Sequence, residues 1–391
     1  MIAEMEVSKE NVRQSVERIA PVLEKYRDEG ERERSLPAAV VAAMRGAGLL
    51  RLWVPKEYGG DEVDLPVFMR AAESMARIDS AAGWVLSVGA AGPLLTAFVP
   101  PENAMEIYAN GPDTLLAGAS APQGARAVPV QGGYKVTGRW PLASGSQHGE
   151  WLGIVTMLFD GDGPVMDEHG APDFKSMFLP REDCQIEDTW YSLGMRGTGS
   201  THFSVKDVFV PEGRVFSVFT AQPQVSGPLY RLGVLPMFAM TVTSVLPGIA
   251  RAAIDEFVAL AKAKTPTFSQ TGLATRPTIH AEVAQVEALV QSARAFLYEV
   301  ADEMMASVKA GQPVSEDLEA RRRLACTNVG ASCTQAVDRL FALAGSTTVY
   351  SGHRLERLLR DIHTAGQHLF VSPVWWEKTG QYYFGQGLGM P

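Results

Sequence analysis

Residues 113–220 interrupt a chain otherwise patterned for helices, and that interruption narrows the possible folds more than any other feature. Here TLLAGAS, RAVPVQGGYKVTGRW, WLGIVTMLF, FKSMFLP and THFSVKDVFVP follow one another as short runs rich in Val, Thr, Phe and Tyr, separated by Gly-Gly or Pro-Glu turns. Such runs predict an antiparallel β-domain of short strands. Before them, Val12, Val16, Ile19, Val22, Leu23 and Tyr26 recur at helical spacing and predict a helix over 7–28. Further helices are expected over 36–50 and, as two, over 64–98, after a Pro/Gly-punctuated loop at 52–60. Beyond the strands, helices are expected over 234–264, 278–310, 315–344 and 352–370, with an aromatic tail at 373–384. Long helices joined by short loops favour a four-helix bundle. The predicted class is α+β, mostly α: an N-terminal helical domain (1–112), a central β-barrel or sandwich (113–220) and a C-terminal four-helix bundle (221–391).

Composition removes several function classes. The 391 residues carry 35 Lys+Arg and 44 Asp+Glu, so 35 − 44 = −9. A net-negative surface argues against nucleic acid as the main partner, because phosphate binding needs a basic face. No run approaches the ~18 consecutive apolar residues of a membrane span. The acidic Met1–Lys9 stretch lacks a signal pattern, so a cytoplasmic address is expected. Three cysteines, Cys184, Cys326 and Cys333, support neither a disulfide scaffold nor a Cys-rich zinc site. No metal site is expected, since the seven histidines (148, 169, 202, 280, 353, 363, 368) show no i, i+4 spacing with a carboxylate. GxGxxG, GxxxxGK[ST], HExxH and GxSxG are absent. The consecutive Arg321, Arg322 and Arg323 point in different directions around a helix and read as a solvated stretch.

Two strings say more. LWVPKEYGG (52–60) and WYSLGMRGTGSTHFSVKDVFVPEGRV (190–215) resemble the acyl-CoA dehydrogenase superfamily, the second through its LGMR-x-T-x-S and D-V-x-VP runs. The resemblance covers essentially the whole chain. It implies a flavin held between the β-domain and the C-terminal bundle, and a homotetramer. The family's usual base lies in a Tyr-Glu-Gly string, but this chain reads Tyr350-Ser351-Gly352, and a serine hydroxyl cannot replace a carboxylate base. The flavin-pyrophosphate element RxxFG is also degraded, to AKTPTFSQTGLATRP.

Other strings are similar to a sister branch, the oxygenase components of two-component flavin-dependent monooxygenases. VQGGYKVTGRWPLASGSQHGEW (130–151) matches its G-x-W-x-x-x-SG segment, RLERLLRDIHTAGQH (354–368) its R-D-x-x-x-x-x-x-H ending, and LATRPT (273–278) recurs there. That branch takes reduced flavin (FADH2 or FMNH2) from a separate reductase. With O2 as co-substrate it hydroxylates a small aromatic or heteroaromatic compound, indole- or phenol-like, through a flavin C4a-hydroperoxide. N- or S-oxygenation is an open alternative within the branch. The alternative outside it is an acyl-CoA dehydrogenase or oxidase with a relocated base, for which Glu150 and Glu356 are the carboxylates to test.

Such chemistry needs a dry pocket, a hydrogen bond to the flavin edge and a proton-handling group. By resemblance, Ser144 supplies the bond near flavin N5 and His368, late on the 352–370 helix, faces C4a, where it stabilises the oxygen adduct or accepts a proton. Without the resemblance these would read as a turn serine and a helix-end histidine. Trp84 would lie against the flavin pocket, and Trp140 would shield one ring face. Gly145 and Ser146 would bring backbone donors to the ring. Arg276 would pair with a flavin phosphate, and Gly345 and Ser346 would turn backbone toward the cofactor phosphates of a partner subunit. His148 would line the substrate cavity. The small lining VLSVGAAG (85–92) points to a bulky apolar substrate. The aromatic tail, Trp375 to Phe384, would cap the pocket or, more in keeping with its composition, pack the tetramer.

Overall fold

The computed structural model describes residues 9–161, 163–167, 170–217 and 220–389. In chain order the first helices are α1 (Lys9–Glu33), α2 (Ala38–Gly46), α3 (Leu65–Ile78), α4 (Ser80–Gly89), α5 (Ala91–Thr96) and α6 (Pro101–Ile107). The strands are β1 (Leu116–Ala119), β2 (Gln123–Val130), β3 (Gly133–Ala143), β4 (Trp151–Asp160), β5 (Gly163–Pro164), β6 (Phe174–Pro180), β7 (Gln185–Glu187), β8 (Thr201–Pro211) and β9 (Val215–Phe216). Then come α7 (Val234–Ala263), α8 (Pro277–Lys309), α9 (Glu316–Ala344), α10 (Arg354–Ala365) and α11 (Val374–Tyr383). The class is α+β and mostly helical. Residues 7 and 8, the start of the first expected helix, and His169 lie outside the described residues.

The chain divides into two compact units, cut differently from the three expected segments. The first comprises Met1–Val63, Val85–Tyr191 and Arg196–Val234, and contains the sheet. Its strand order is β7-β8-β3-β2-β4-β6-β9, with β1 and β5 also pairing with β4. The sheet is mixed, not purely antiparallel as the strand runs suggested. β2 and β3 form a hairpin whose two-residue turn needs Gly132 at φ +80°. β4 then runs in the same direction as β2, so β1 and β2 lie end to end along it in parallel register. The sheet buries Trp140, Phe203, Leu152, Ile154, Met177 and Leu179 in one core.

One irregularity in this sheet sets up the site. Trp140 pairs with Phe203 and Ala143 with Thr201, so β3 uses three steps where β8 uses two. The extra residue is a β-bulge. Pro141 has no N–H to lose there, and Leu142 takes the left-handed conformation at φ +62°. Bulges re-aim the residues that follow, and here those residues are Ser144, Gly145 and Ser146.

The second unit comprises Asp64–Trp84, Ser192–Met195 and Leu235–Pro391. α8 and α9 are joined by the short 310–315 loop, which makes them antiparallel neighbours. Ser315 caps α9, its Oγ accepting from Leu318 N at 3.2 Å. α7 is long and apolar enough to cross a membrane by composition, but 89% of its most apolar stretch is buried inside the protein, as in a core helix. The arginine run is not a solvated stretch. Arg322 and Arg323 are each only 4% exposed. Both pair with Glu319, one helical turn earlier, while Arg321 reaches Glu299 and Glu303 on α8. Arg323 also donates to the carbonyls of Leu388 (2.8 Å) and Gly389 (3.3 Å). Three consecutive residues do point three ways, but each direction offers oxygen acceptors in place of water. The aromatic tail is largely the helix α11. It buries Trp375, whose Nε1 donates to Leu369 O at 2.6 Å, and leaves Tyr383 and Phe384 exposed.

Candidate active site

In the sheet-bearing unit, the bulge delivers Ser144 to a group of buried hydroxyls. Ser144 Oγ lies 2.6 Å from Ser200 Oγ, and Ser200 Oγ lies 2.6 Å from Thr198 Oγ1. Ser144, Ser200 and Thr198 are all buried. The backbone locks the arrangement, with Gly145 N donating to Thr198 O at 2.9 Å and Ser146 N to Ala143 O at 3.1 Å. Gly145 sits at φ +73°, and a Cβ there would stand 3.1 Å from Val85 Cγ1, so the turn is shaped for glycine. Ser146 Oγ is buried with no partner among the described residues.

One expectation for this unit changes. Trp140 shields no cofactor face. Its ring is wholly buried, stacked on Phe203 at 5.5 Å, and its Nε1 donates to Val155 O at 2.8 Å. A wholly buried tryptophan with a ring stacked on it and its donor satisfied within its own sheet is a core residue. His148 is half-buried and its Nε2 lies 3.0 Å from Ser35 Oγ, so it ties the 144–150 turn to the segment after α1. Burial pushes its pKa down.

In the helical unit the LGMR and R-D strings meet. Asp361 Oδ1 accepts from Met195 N at 2.6 Å, Thr364 Oγ1 from Gly194 N at 2.9 Å, and Arg360 donates to Leu193 O at 2.8 Å. Gly194 has no room for a side chain, since a Cβ would lie 2.2 Å from the Arg360 carbonyl. This clip holds the last turns of α10, and with them the position of His368.

His368 is not on that helix. α10 ends at Ala365, and His368 caps a following 3-10 turn, Leu369–Val371. Its Nδ1 accepts from Phe370 N at 3.3 Å. The helical bonding has already tightened before it, with Gln367 N on Thr364 O (3.2 Å) and His368 N on Ala365 O (3.1 Å). The imidazole is surrounded by rings: Trp84 at 5.6 Å, Phe238 at 5.9 Å and Phe370 at 5.3 Å between centroids. Burial in this setting pushes its pKa down to about 4, so near neutral pH the ring is uncharged. With Nδ1 accepting, the proton of the neutral ring sits on Nε2, which has no hydrogen-bond partner among the described residues. His363, by contrast, pairs with Asp338 at 2.7 Å.

Other candidates are placed as follows. Trp84 is buried, its indole edge-on to His368. Arg276 is half-buried at the N-cap of α8. Gly345, at φ +66°, and Ser346 are exposed just after α9, beside Lys264, whose Nζ donates to Ala344 O (2.6 Å) and Thr347 Oγ1 (2.8 Å). The two carboxylates of the dehydrogenase alternative are both engaged: Glu150 pairs with Arg45 at 2.7 Å, and Glu356 with Arg360 at 2.5 Å. No group of three or more His, Cys, Asp or Glu among the described residues could hold a metal ion. Sequence reasoning missed Thr198, Ser200, Phe238 and Phe370. The T-x-S of the 190–215 string was the signal for the first two. The rings lie far apart in sequence and left none.

Comparison with known proteins gives the family. Residues 3–103 match the acyl-CoA dehydrogenase N-terminal domain family, and residues 240–373 the acyl-CoA dehydrogenase C-terminal domain family. The chain is 34% identical to indole-3-acetate monooxygenase of Pseudomonas putida, over 92% of this chain and 90% of that protein. It is 30% identical to the flavin-dependent monooxygenase oxygenase subunit HsaA of Rhodococcus jostii, over 97% and 98%. XiaF from Streptomyces sp., solved in complex with FADH2 and glycerol, superposes with a TM-score of 0.90 at 28% identity, over 98% of this chain and 97% of that one. By sequence and fold together, this chain belongs to the oxygenase components of flavin-dependent monooxygenases, built on acyl-CoA dehydrogenase-type domains.

Proposed function

We propose that this enzyme takes FADH2 or FMNH2 from a separate reductase and uses O2 to hydroxylate a small aromatic or heteroaromatic compound, indole- or phenol-like. The relatives' named substrates support an aromatic class, and the small apolar 85–92 lining is consistent with it. When bound, the reduced flavin supplies the electrons that activate dioxygen. The chain's own residues then have separable tasks. His368 donates a hydrogen bond from Nε2, the nitrogen left carrying the proton when Nδ1 accepts from Phe370 N. Ser144 presents its hydroxyl to the flavin edge near N5, with Gly145 and Ser146 offering backbone beside it. Trp84 fixes the imidazole by its edge and helps to exclude water. Arg276, Gly345 and Ser346 serve the cofactor phosphates. The same reading makes the protein a cytoplasmic homotetramer with neither nucleic acid nor membrane as partner.

The observation that carries the reading is the His368 imidazole, tautomer fixed by Phe370 N and Nε2–H unclaimed among the described residues. A neutral donor bordered by rings suits an oxygen-derived group and ill suits α-proton abstraction. The test is a reductase-coupled assay scoring product against hydrogen peroxide. Ser144→Ala and His368→Ala should each lower product per flavin oxidised severalfold and raise peroxide correspondingly. Unchanged coupling in both removes them from the mechanism. Anaerobic bleaching of bound oxidised flavin by acyl-CoA would instead establish the dehydrogenase alternative.

A further inference from the structure

We propose that Trp375 is a positioning residue for His368: its indole N–H fixes the peptide group whose other end decides which imidazole nitrogen carries the proton. This rests on the reading that His368 donates from Nε2 to an oxygen-derived group. Trp375 Nε1 donates to Leu369 O at 2.6 Å. Phe370 N donates to His368 Nδ1 at 3.3 Å. The carbonyl of Leu369 and the N–H of Phe370 belong to one peptide bond. A trans peptide is planar, so its C=O and N–H point in opposite directions. An indole held on the oxygen therefore aims the N–H at the imidazole.

The aim matters because 3.3 Å is at the long end for such a bond, and a small rotation of the peptide would break it. Ser372 N also donates to Leu369 O, at 3.1 Å, so both lone pairs of that carbonyl are used. The two donors differ in what stands behind them. The Ser372 bond is internal to the turn and moves with it. Trp375 is tied to α9: its ring is buried, with the guanidinium carbon of Arg323 over it at 5.1 Å from the centroid. Arg323 is held in turn by Glu319 and by the carbonyls of Leu388 and Gly389. The end of the turn is seated on the same helix at Gly330, where a Cβ would stand 2.9 Å from Val371 Cβ. A flip of the 369–370 peptide would strand the buried indole donor and leave Nδ1 free to take the proton. Nε2 would then be an acceptor and no longer a donor. Polarisation works in the same sense, since a donor on the C=O strengthens the N–H of its own peptide.

The experiment is nitrogen NMR of the full chain with ring-labelled histidine at neutral pH, the His368 signals assigned by their loss in His368→Gln, together with product scored against peroxide in the reductase-coupled assay. The unmodified protein should show the ring protonated on Nε2. Trp375→Phe keeps an aromatic ring beside Arg323 and removes the donor. It should raise the share of ring protonated on Nδ1 severalfold and lower product per flavin oxidised severalfold. A second variant carries 3-benzothienylalanine at position 375, the same outline with sulfur in place of the N–H, and should give the same result. A wild-type tautomer in both variants overturns the positioning and leaves the His368 reading standing. A changed tautomer, with coupling unaltered in these variants and in His368→Ala, upholds the positioning and removes that reading. A ring protonated on Nδ1 in the unmodified protein overturns both.

Discussion

Replacing Phe238 with alanine should raise the pKa of His368, and the structure sets the size of the change. The folded value is about 4, against 6.5 for the ring in water, and burial is its cause. The difference, 6.5 − 4 = 2.5, corresponds to roughly 3 kcal/mol at about 1.36 kcal/mol per pKa unit. Three rings enclose the imidazole, Trp84, Phe238 and Phe370. If they share the desolvation evenly, removing one returns roughly 1 kcal/mol, a rise of somewhat under one pKa unit. Phe238 is only half-buried, so the truncation leaves the fold intact. The sign for stability follows. Below 6.5 the unfolded chain binds a proton that the folded chain refuses until about 4, so this group's effect is to lower stability as pH falls through that window. Phe238→Ala narrows the window from below. The assay is an NMR titration of the protein with ring-labelled histidine, the His368 signal assigned by its loss in His368→Gln. A pKa near 6.5 in the unmodified protein, or no rise in Phe238→Ala, refutes the reasoning.

Glu319→Gln should lower the melting temperature by several degrees, because it leaves two guanidiniums that are each 4% exposed without their counter-charge, a loss of roughly 3 kcal/mol; a wild-type melting curve would show that the backbone carbonyls suffice. Gly194→Ala should both destabilise the protein and lower hydroxylation yield. Its Cβ would collide with the Arg360 carbonyl at 2.2 Å and force the clip that holds α10 to open, so a variant with normal melting and normal product-to-peroxide ratio argues against that role.

What the sequence made legible were features written in neighbouring residues. The change from helical to strand patterning placed the sheet, and the LGMR and R-D strings pointed to the two places that meet through Asp361 and Thr364. The misreadings came where a long-range partner overrode the local pattern. The helix expected to reach 370 stops at Ala365, where Gln367 N and His368 N bond three residues back and the His368 ring then starts a new turn by taking the Phe370 N–H. The arginine run is buried because Glu319 and the chain's last described carbonyls receive it. Trp140 lies in the core because Phe203 and Val155 occupy its face and its donor. Thr198 and Ser200 come to lie beside Ser144 only through the register of β3 against β8, which a single sequence does not print.

Leu142 holds a consequence for anyone who would toughen this enzyme. A bulky residue at φ +62° stores strain, and a screen for heat tolerance alone would favour glycine or asparagine there. Such a swap keeps the left-handed angle and sheds its strain, so the kink that aims the serine behind it survives and the hardier protein should waste no more oxygen as peroxide. At that single backbone angle, durability is open to improvement without a toll on fidelity.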